Sequence, residues 1–107
     1  MRFRQIRNRR KHDDALEARV VRKTKEAAKA CGFEHRKMTY AGRNGAPDDW
    51  FFGFGGLLII VEFKAPGKQP EAHQASEIRR LRNRGFNVYV IDNESDGIAL
   101  FRGLSQW

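Results

Sequence analysis

The sequence is poor in cysteine and has no long apolar run, and each shortage excludes a class of protein. Its single cysteine, Cys31, cannot form an internal disulfide, and its place on the apolar side of a predicted helix favours a buried thiol over a nucleophile. The longest apolar run, Leu57–Val61, has five residues, far fewer than a membrane span needs. The basic N-terminus also lacks the hydrophobic stretch of a secretion signal. We therefore expect one domain without a membrane partner, in a reducing, cytoplasmic compartment.

Acidic residues are missing from the first eleven positions, where basic residues are abundant. The 107 residues carry a net charge of +8, and six of the basic side chains lie in Met1–Lys11, a segment without an acidic residue. Because neutralising a phosphate releases counterions, this basic N-terminal arm, residues 1–11, favours a nucleic-acid backbone as partner. A disordered solubilising arm and a strand exchanged with a neighbour are the alternatives. The predicted DNA contacts of the arm are Arg2, Arg4, Arg7, Arg9, Arg10 and Lys11. Residues 12–107 are the predicted folded domain.

The apolar pattern of the remainder predicts an α/β fold, with a central mixed sheet flanked by helices in the order αβββαβ. Helices are predicted at residues 16–31 and 71–84, and strands at residues 33–40, 50–52, 57–64 and 86–91. Asp13 and Asp14 favour a start of the first helix at that point, while Gly32 and Gly85 suit helix ends. The second helix would cross between two parallel strands. Residues 93–104 suit a short helix better than a strand.

The apolar run Leu57–Val61 ends in charged residues, which is the most informative feature of the chain. Since side chains alternate along a strand, Glu62 and Lys64 emerge on one face and Phe63 on the other. Asp48 follows a Gly-x-Pro turn and reaches the same place if residues 50–52 and 57–64 form a hairpin. Two converging carboxylates make a hard oxygen site that suits Mg²⁺ or Mn²⁺.

Each part of this pattern also has a plain structural explanation. An aspartate after proline is commonly a turn or cap residue, and Glu-x-Lys at a strand end is commonly a solvated pair. Their joint occurrence across a predicted hairpin favours a site. Gln74 begins the buried stripe of the second helix and points toward the strand ends, although an ordinary amide near a helix start is equally compatible. Glu17 lies at the edge of the apolar stripe that the first predicted helix would bury, and its side chain either leans toward the site or faces solvent.

The order of these motifs resembles the virus-type replication-repair nuclease (VRR-NUC) family of the PD-(D/E)xK superfamily, whose core is restriction-endonuclease-like. The resemblance covers most of residues 31–93. Its motifs are Glu17, Gly45-x-Pro47-Asp48, Glu62-x-Lys64, Gln74 and the run Gly85-Phe86-Asn87-Val88-Tyr89-Val90.

The resemblance implies metal-dependent hydrolysis of DNA phosphodiesters. Asp48, Glu62 and the Phe63 carbonyl would bind Mg²⁺ or Mn²⁺. Lys64 would orient or deprotonate the attacking water, or steady the phosphorus. Supporting catalytic roles would fall to Gln74 and Glu17. Two further basic residues, in loops, would contact DNA: Arg43 and Lys68.

Stand-alone members of the family resemble homodimeric nucleases of branched DNA, which implies Holliday-junction resolution in DNA repair. A cytoplasmic location would then mean the nucleoid, or the host cytoplasm if the chain is viral. A basic DNA-binding module that does not cleave is one alternative. A nuclease for flap or linear DNA is another.

Overall fold

The computed structural model describes the backbone of residues 2–107 and the side chains of residues 11–107. Within this part of the chain the α-helices are Arg2–Ala30 (α1), Ala72–Asn83 (α2) and Glu94–Gly103 (α3), and a short 3-10 helix lies at Phe54–Gly56. The strands are Glu34–Lys37 (β1), Asp49–Phe52 (β2), Leu58–Phe63 (β3) and Asn87–Ile91 (β4). No described helix is both long enough and apolar enough to cross a membrane.

The strands form a mixed sheet in the order β1-β2-β3-β4. The two pairs that β2 makes are antiparallel, whereas β3 and β4 are parallel. Parallel neighbours need a long crossover, and α2 supplies it. The predicted α/β fold with a mixed sheet and the αβββαβ order is confirmed. The short helix expected within residues 93–104 is α3, Glu94–Gly103, which extends that order. The register sets Asp49 opposite Val61, so β2 begins beside the end of β3.

Helices cover both faces of the sheet because β3 is apolar on both sides. Ile59 and Val61 point into the larger core, toward α1 and α3, and Ile60 points into a smaller core beneath α2. The larger core also contains the fully buried rings of Phe51 and Phe101, whose centroids lie 4.6 Å apart. A strand buried on both faces is typical of the centre of such a sheet.

The first helix begins earlier than the acidic pair predicts. α1 starts at Arg2, so Asp13 and Asp14 lie in its interior, and the predicted start was wrong. Residues 2–30 contain no glycine or proline, and arginine, lysine and glutamine are good helix formers, so nothing stops the helix from extending toward the N-terminus. The boundary of the basic arm at residue 11 stays a prediction.

β1 is also shorter than the predicted strand at residues 33–40. It ends at Lys37, and the backbone pairs once more where Met38 N donates to Asp48 O at 2.8 Å. Phe33 lies before the strand and is buried in the larger core. Cys31 lies just beyond α1 and is partly buried against that core, as expected of a structural thiol.

Candidate active site

A pocket of about 340 Å³ opens where β2 begins and β3 ends. Its walls are mostly polar, which is unusual for a cavity that serves only packing. Every side chain predicted to be catalytic lines it: Glu17, Asp48, Glu62, Lys64 and Gln74. Phe63 is also part of the wall, while its ring lies in the larger core. The structure brings these residues together, and their chemical roles stay predictions.

Asp48 owes its position to the short connection before β2. The indole Nε1 of Trp50 donates to Pro47 O at 2.9 Å, and Met38 N donates to Asp48 O at 2.8 Å. These bonds fix the backbone on both sides of the aspartate. Its carboxylate remains about half exposed and therefore accessible from the pocket.

Glu62 is a buried carboxylate at the end of β3, and only 8% of the residue is exposed. Its Oε1 accepts from Gln74 Nε2 at 2.9 Å and lies 3.7 Å from Lys64 Nζ. Burial raises the pKa of Glu62 to about 7; Lys64 opposes this rise, while the negative charges of Asp48 and Asp49 add to it. At Glu62, the cost of burying a charge and the repulsion from the two aspartates together outweigh the attraction of Lys64.

Gln74 uses both ends of its amide within the site. Its Oε1 accepts from Lys64 Nζ at 2.7 Å and from Glu71 N at 2.9 Å, and its Nε2 donates to Glu62. The amide orientation follows from these partners, since a carboxylate only accepts and an ammonium only donates. Glu71 is the N-cap of α2, and the two residues form a capping box. One side chain thus caps the helix and holds both Glu62 and Lys64.

The structure adds a group of residues to the site that the sequence motifs did not indicate. Asp49 is buried, with its Oδ1 2.7 Å from His35 Nε2 and its Oδ2 3.2 Å from Lys37 Nζ. Lys37 Nζ also lies 3.2 Å from Asp48 Oδ1. Partial burial acts against the charged form of Lys37, but Asp49 and Asp48 together raise its pKa.

The only signal for this group in the sequence was weak. His35 and Lys37 are two residues apart on a strand and therefore share a face, but the local sequence does not predict which residues that face contacts. The pairing of Lys37 with Asp49 comes from the β1–β2 register.

The predicted DNA contacts whose side chains the structure describes, Lys11, Arg43 and Lys68, do not line this pocket. The guanidinium of Arg43 lies against Glu77, and Lys68 Nζ lies 3.6 Å from Asp13 Oδ2. Lys11 is exposed on α1. The remaining members lie outside the residues whose side chains are described: Arg2, Arg4, Arg7, Arg9 and Arg10.

The donor set of the pocket fits a hard divalent cation that keeps open coordination positions. Among residues 11–107, no three or more His, Cys, Asp or Glu side chains gather into a self-contained metal site. Mg²⁺ is commonly held by only one or two carboxylates together with water and substrate phosphate. Asp48 and Glu62 would supply such a pair, with the Phe63 carbonyl as a neutral ligand.

Comparison with known proteins agrees with this fold. No family model matches the chain. It is 35% identical over 82 residues to "Putative nuclease p44" of Acyrthosiphon pisum secondary endosymbiont phage 1, which covers 77% of this chain and 84% of that protein. A solved structure named "VRR_NUC domain" superposes with a TM-score of 0.74 at 36% identity, over 81% of this chain and 95% of the other. The chain therefore belongs to the VRR-NUC family of nuclease domains.

Proposed function

We propose that this protein is a Mg²⁺- or Mn²⁺-dependent endonuclease that hydrolyses phosphodiester bonds of DNA. The observation that supports this most is the pair of hydrogen bonds in which Gln74 donates to Glu62 and accepts from Lys64, in a pocket that Asp48 also lines. A carboxylate and an ammonium held by one amide, beside a second carboxylate, have little use in packing. They suit a reaction in which water attacks a phosphate.

Each side chain has a distinct part in the proposed reaction. Asp48, Glu62 and the Phe63 carbonyl would hold the cation, which would lower the pKa of a bound water and offset charge on the phosphate. Lys64 donates from its ammonium to the attacking water or to a phosphate oxygen. Gln74 is hydrogen-bonded to both Lys64 and Glu62, and so holds these two side chains at a fixed distance and in one orientation. Glu17 approaches the pocket from α1 and acts as a supporting carboxylate.

Branched DNA, including the Holliday junction, is the proposed substrate, and a homodimer is the proposed assembly. Support comes from the family resemblance and from the basic N-terminal segment, which suits contact with DNA arms. A two-fold dimer would present two sites to two strands of a junction. The phage relative supports a location in the host cytoplasm.

The proposal is tested by incubating the purified protein with four-way, flap and linear DNA in Mg²⁺, in Mn²⁺ and in chelator. We expect cleavage only with metal. Asp48→Ala, Glu62→Ala and Lys64→Ala should each lower the cleavage rate by on the order of 10²–10⁴, because each removes either a proposed ligand of the cation or the proposed donor to the water or phosphate. DNA affinity should stay within a few-fold of the wild type.

A matched control is Glu26→Ala, which removes an exposed carboxylate of α1 outside the pocket. Retained cleavage in all three pocket variants would overturn the assignment. Binding of DNA by the wild type without any cleavage would instead support the non-cleaving module. The ratio of rates on the three substrates separates a junction nuclease from one for flaps or linear DNA, and the solution mass tests the dimer.

A further inference from the structure

We propose that a second, phosphate-binding surface lies beside the candidate active site and holds the DNA strand next to the cleaved bond. This surface, here called the Glu77 surface, consists of Arg43, Arg80 and Arg84 around the buried carboxylate of Glu77. Its assignment to DNA rests on the proposed function. The contacts that define this surface lie on a side of α2 that takes no part in the proposed reaction.

Glu77 is the centre of this surface. Its side chain is only 6% exposed, yet it is surrounded by donors rather than by apolar groups. Oε2 accepts from the Tyr40 hydroxyl, while Oε1 accepts from Arg43 Nη2 at 3.0 Å and from Arg80 Nη1 at 3.3 Å. The hydrogen bond from Tyr40, followed by those from Arg43 and Arg80, lowers the pKa of Glu77 despite its burial. An ionised carboxylate at this place fixes both arginines.

The arginines carry more positive charge than Glu77 can neutralise. One carboxylate faces two guanidinium groups, and Arg84 adds a third positive charge to the same groove. The side chains of Arg43 and Arg80 are 45% and 58% exposed, so their outer sides face solvent. A guanidinium has five N–H donors in a planar fork that matches phosphate oxygens. Because Glu77 already orders both side chains, a phosphate would bind them at a reduced cost in entropy.

Two grooves meet at these arginines. One has a volume of about 560 Å³ and includes Arg84 in its wall, and the other has a volume of about 320 Å³. Arg43 and Arg80 line both. The smaller groove adds neutral hydrogen-bonding groups from Asn44 and Ser76. Such a mixture of arginine, amide and hydroxyl is typical of contacts to a nucleic-acid backbone.

The Glu77 surface is continuous with the candidate active site through α2. Gly45, in the loop that leads to Asp48, packs so closely on the start of α2 that an added Cβ would lie 2.6 Å from His73 Cδ2 and 3.1 Å from Gln74 N. Gln74 and Arg80 are on the same helix. Their separation is about 9 Å along the axis at ~1.5 Å per residue. This equals roughly two to three nucleotide steps at ~3.4 Å each.

The experiment measures DNA affinity in chelator, so that cleavage does not enter. The double variant Arg43→Gln/Arg80→Gln is compared with wild type on a four-way junction and on a duplex across a salt series. We expect at least about tenfold weaker binding, and a slope of log K against log salt that is smaller by about 1.8, since each lost phosphate contact removes ~0.9. Arg102→Gln is the matched control, because this exposed arginine lies on α3 at the opposite face of the sheet. It should bind within about twofold of wild type.

Arg84→Gln is a second variant that is not expected to disturb folding, since this exposed residue is the C-cap of α2 and its guanidinium makes no ion pair with Glu77. It should reduce the salt slope by about 0.9 while leaving the melting temperature unchanged. Wild-type slope and affinity in both the double variant and Arg84→Gln would overturn the inference while the proposed nuclease still cleaved. Absence of DNA binding by the wild type would instead overturn the proposed function.

Discussion

At the scale of single residues, Gln74 connects local helix chemistry with the candidate site. Its amide oxygen serves the N-cap of α2 and the ammonium of Lys64, and its nitrogen serves Glu62. A shorter side chain would leave Glu62 without its donor and Lys64 without its acceptor. Such a substitution would change the geometry of the site more than the free energy of unfolding, because α2 retains its other hydrogen bonds.

We predict that Gln74→Ala lowers kcat by about 10- to 100-fold, the range typical of lost support around a metal ligand. Loss of the Nε2 donor also disfavours the ionised form of Glu62, so the acidic limb of the pH–rate profile should move to higher pH. Steady-state kinetics across pH measure both effects. Gln69→Ala, which removes an exposed amide before α2, is the control. An unchanged pH profile in Gln74→Ala would contradict the role given to the amide.

The pKa of Glu62 predicts a dependence of stability on pH. Burial raises this pKa from 4.5 to about 7, so the native state binds a proton more tightly than the unfolded chain does. The stabilisation from that proton is fully present below pH 4.5 and is lost as the pH rises to about 7. At ~1.36 kcal/mol per pKa unit, the loss is on the order of 3 kcal/mol.

Glu62→Gln should therefore raise the melting temperature at pH 8 in chelator more than it does at pH 5, since glutamine remains neutral and can still accept from Gln74. Thermal unfolding at both pH values measures this. Asp14→Asn, at an exposed position of α1, should show no such difference. Equal shifts of Glu62→Gln at the two pH values would contradict the raised pKa.

At the scale of elements, α3 depends on a close approach to α1. An added Cβ at Gly97 would lie 1.9 Å from Thr24 Oγ1, far inside any allowed contact. Thr24 is fully buried, so it has no room to turn away. The glycine is needed for space rather than for an unusual backbone conformation, since it lies within a regular helix.

We predict that Gly97→Ala destabilises the fold by about 1–3 kcal/mol, because overpacking forces the two helices apart. Chemical denaturation gives this value directly. Gly103→Ala on the same helix is the control, since no atom lies within 4 Å of its added Cβ. Combining Gly97→Ala with Thr24→Ala should recover part of the loss, and an equal loss in the double variant would contradict the proposed steric cause.

At the scale of the whole molecule, the positive net charge of the chain contrasts with the carboxylates of the candidate site. The chain carries a net charge of +8, which favours DNA, yet the candidate site is lined by carboxylates that repel a phosphate. The proposed divalent cation would lie between the carboxylates and the phosphate and would balance these charges. Its binding would also favour the ionised form of Glu62, which burial alone disfavours.

We therefore predict that Mg²⁺ or Mn²⁺ raises the melting temperature of the protein without DNA. A ligand that binds only the native state at 100 times its Kd stabilises it by about 2.7 kcal/mol. Scanning calorimetry with and without metal measures the shift, with a monovalent salt at equal ionic strength as control. Asp48→Asn and Glu62→Gln should lose the shift, and a shift that persists in both would place the metal elsewhere.

Most elements were predictable from the sequence because their signals are local. Alternation along strands and the spacing in helices depend on neighbours a few residues apart, so the hairpin, α2 and β4 were expected close to their final bounds. The start of α1 was not, since Asp13 and Asp14 suit a helix start but do not prevent a helix from passing through them. The convergence of Asp48 with Glu62 and Lys64 followed from the hairpin, and their catalytic roles stay predictions.

The sequence by itself determined the family, the order of elements and the motif residues, because these depend on residue type and on short spacing. Only the tertiary structure decided that Asp49 meets His35 and Lys37, and that Tyr40, Arg43 and Arg80 meet at Glu77. Those contacts depend on strand register and on where α2 lies against the loop after β1. Register is a cooperative outcome of packing the whole sheet, so no local pattern in the chain specifies it.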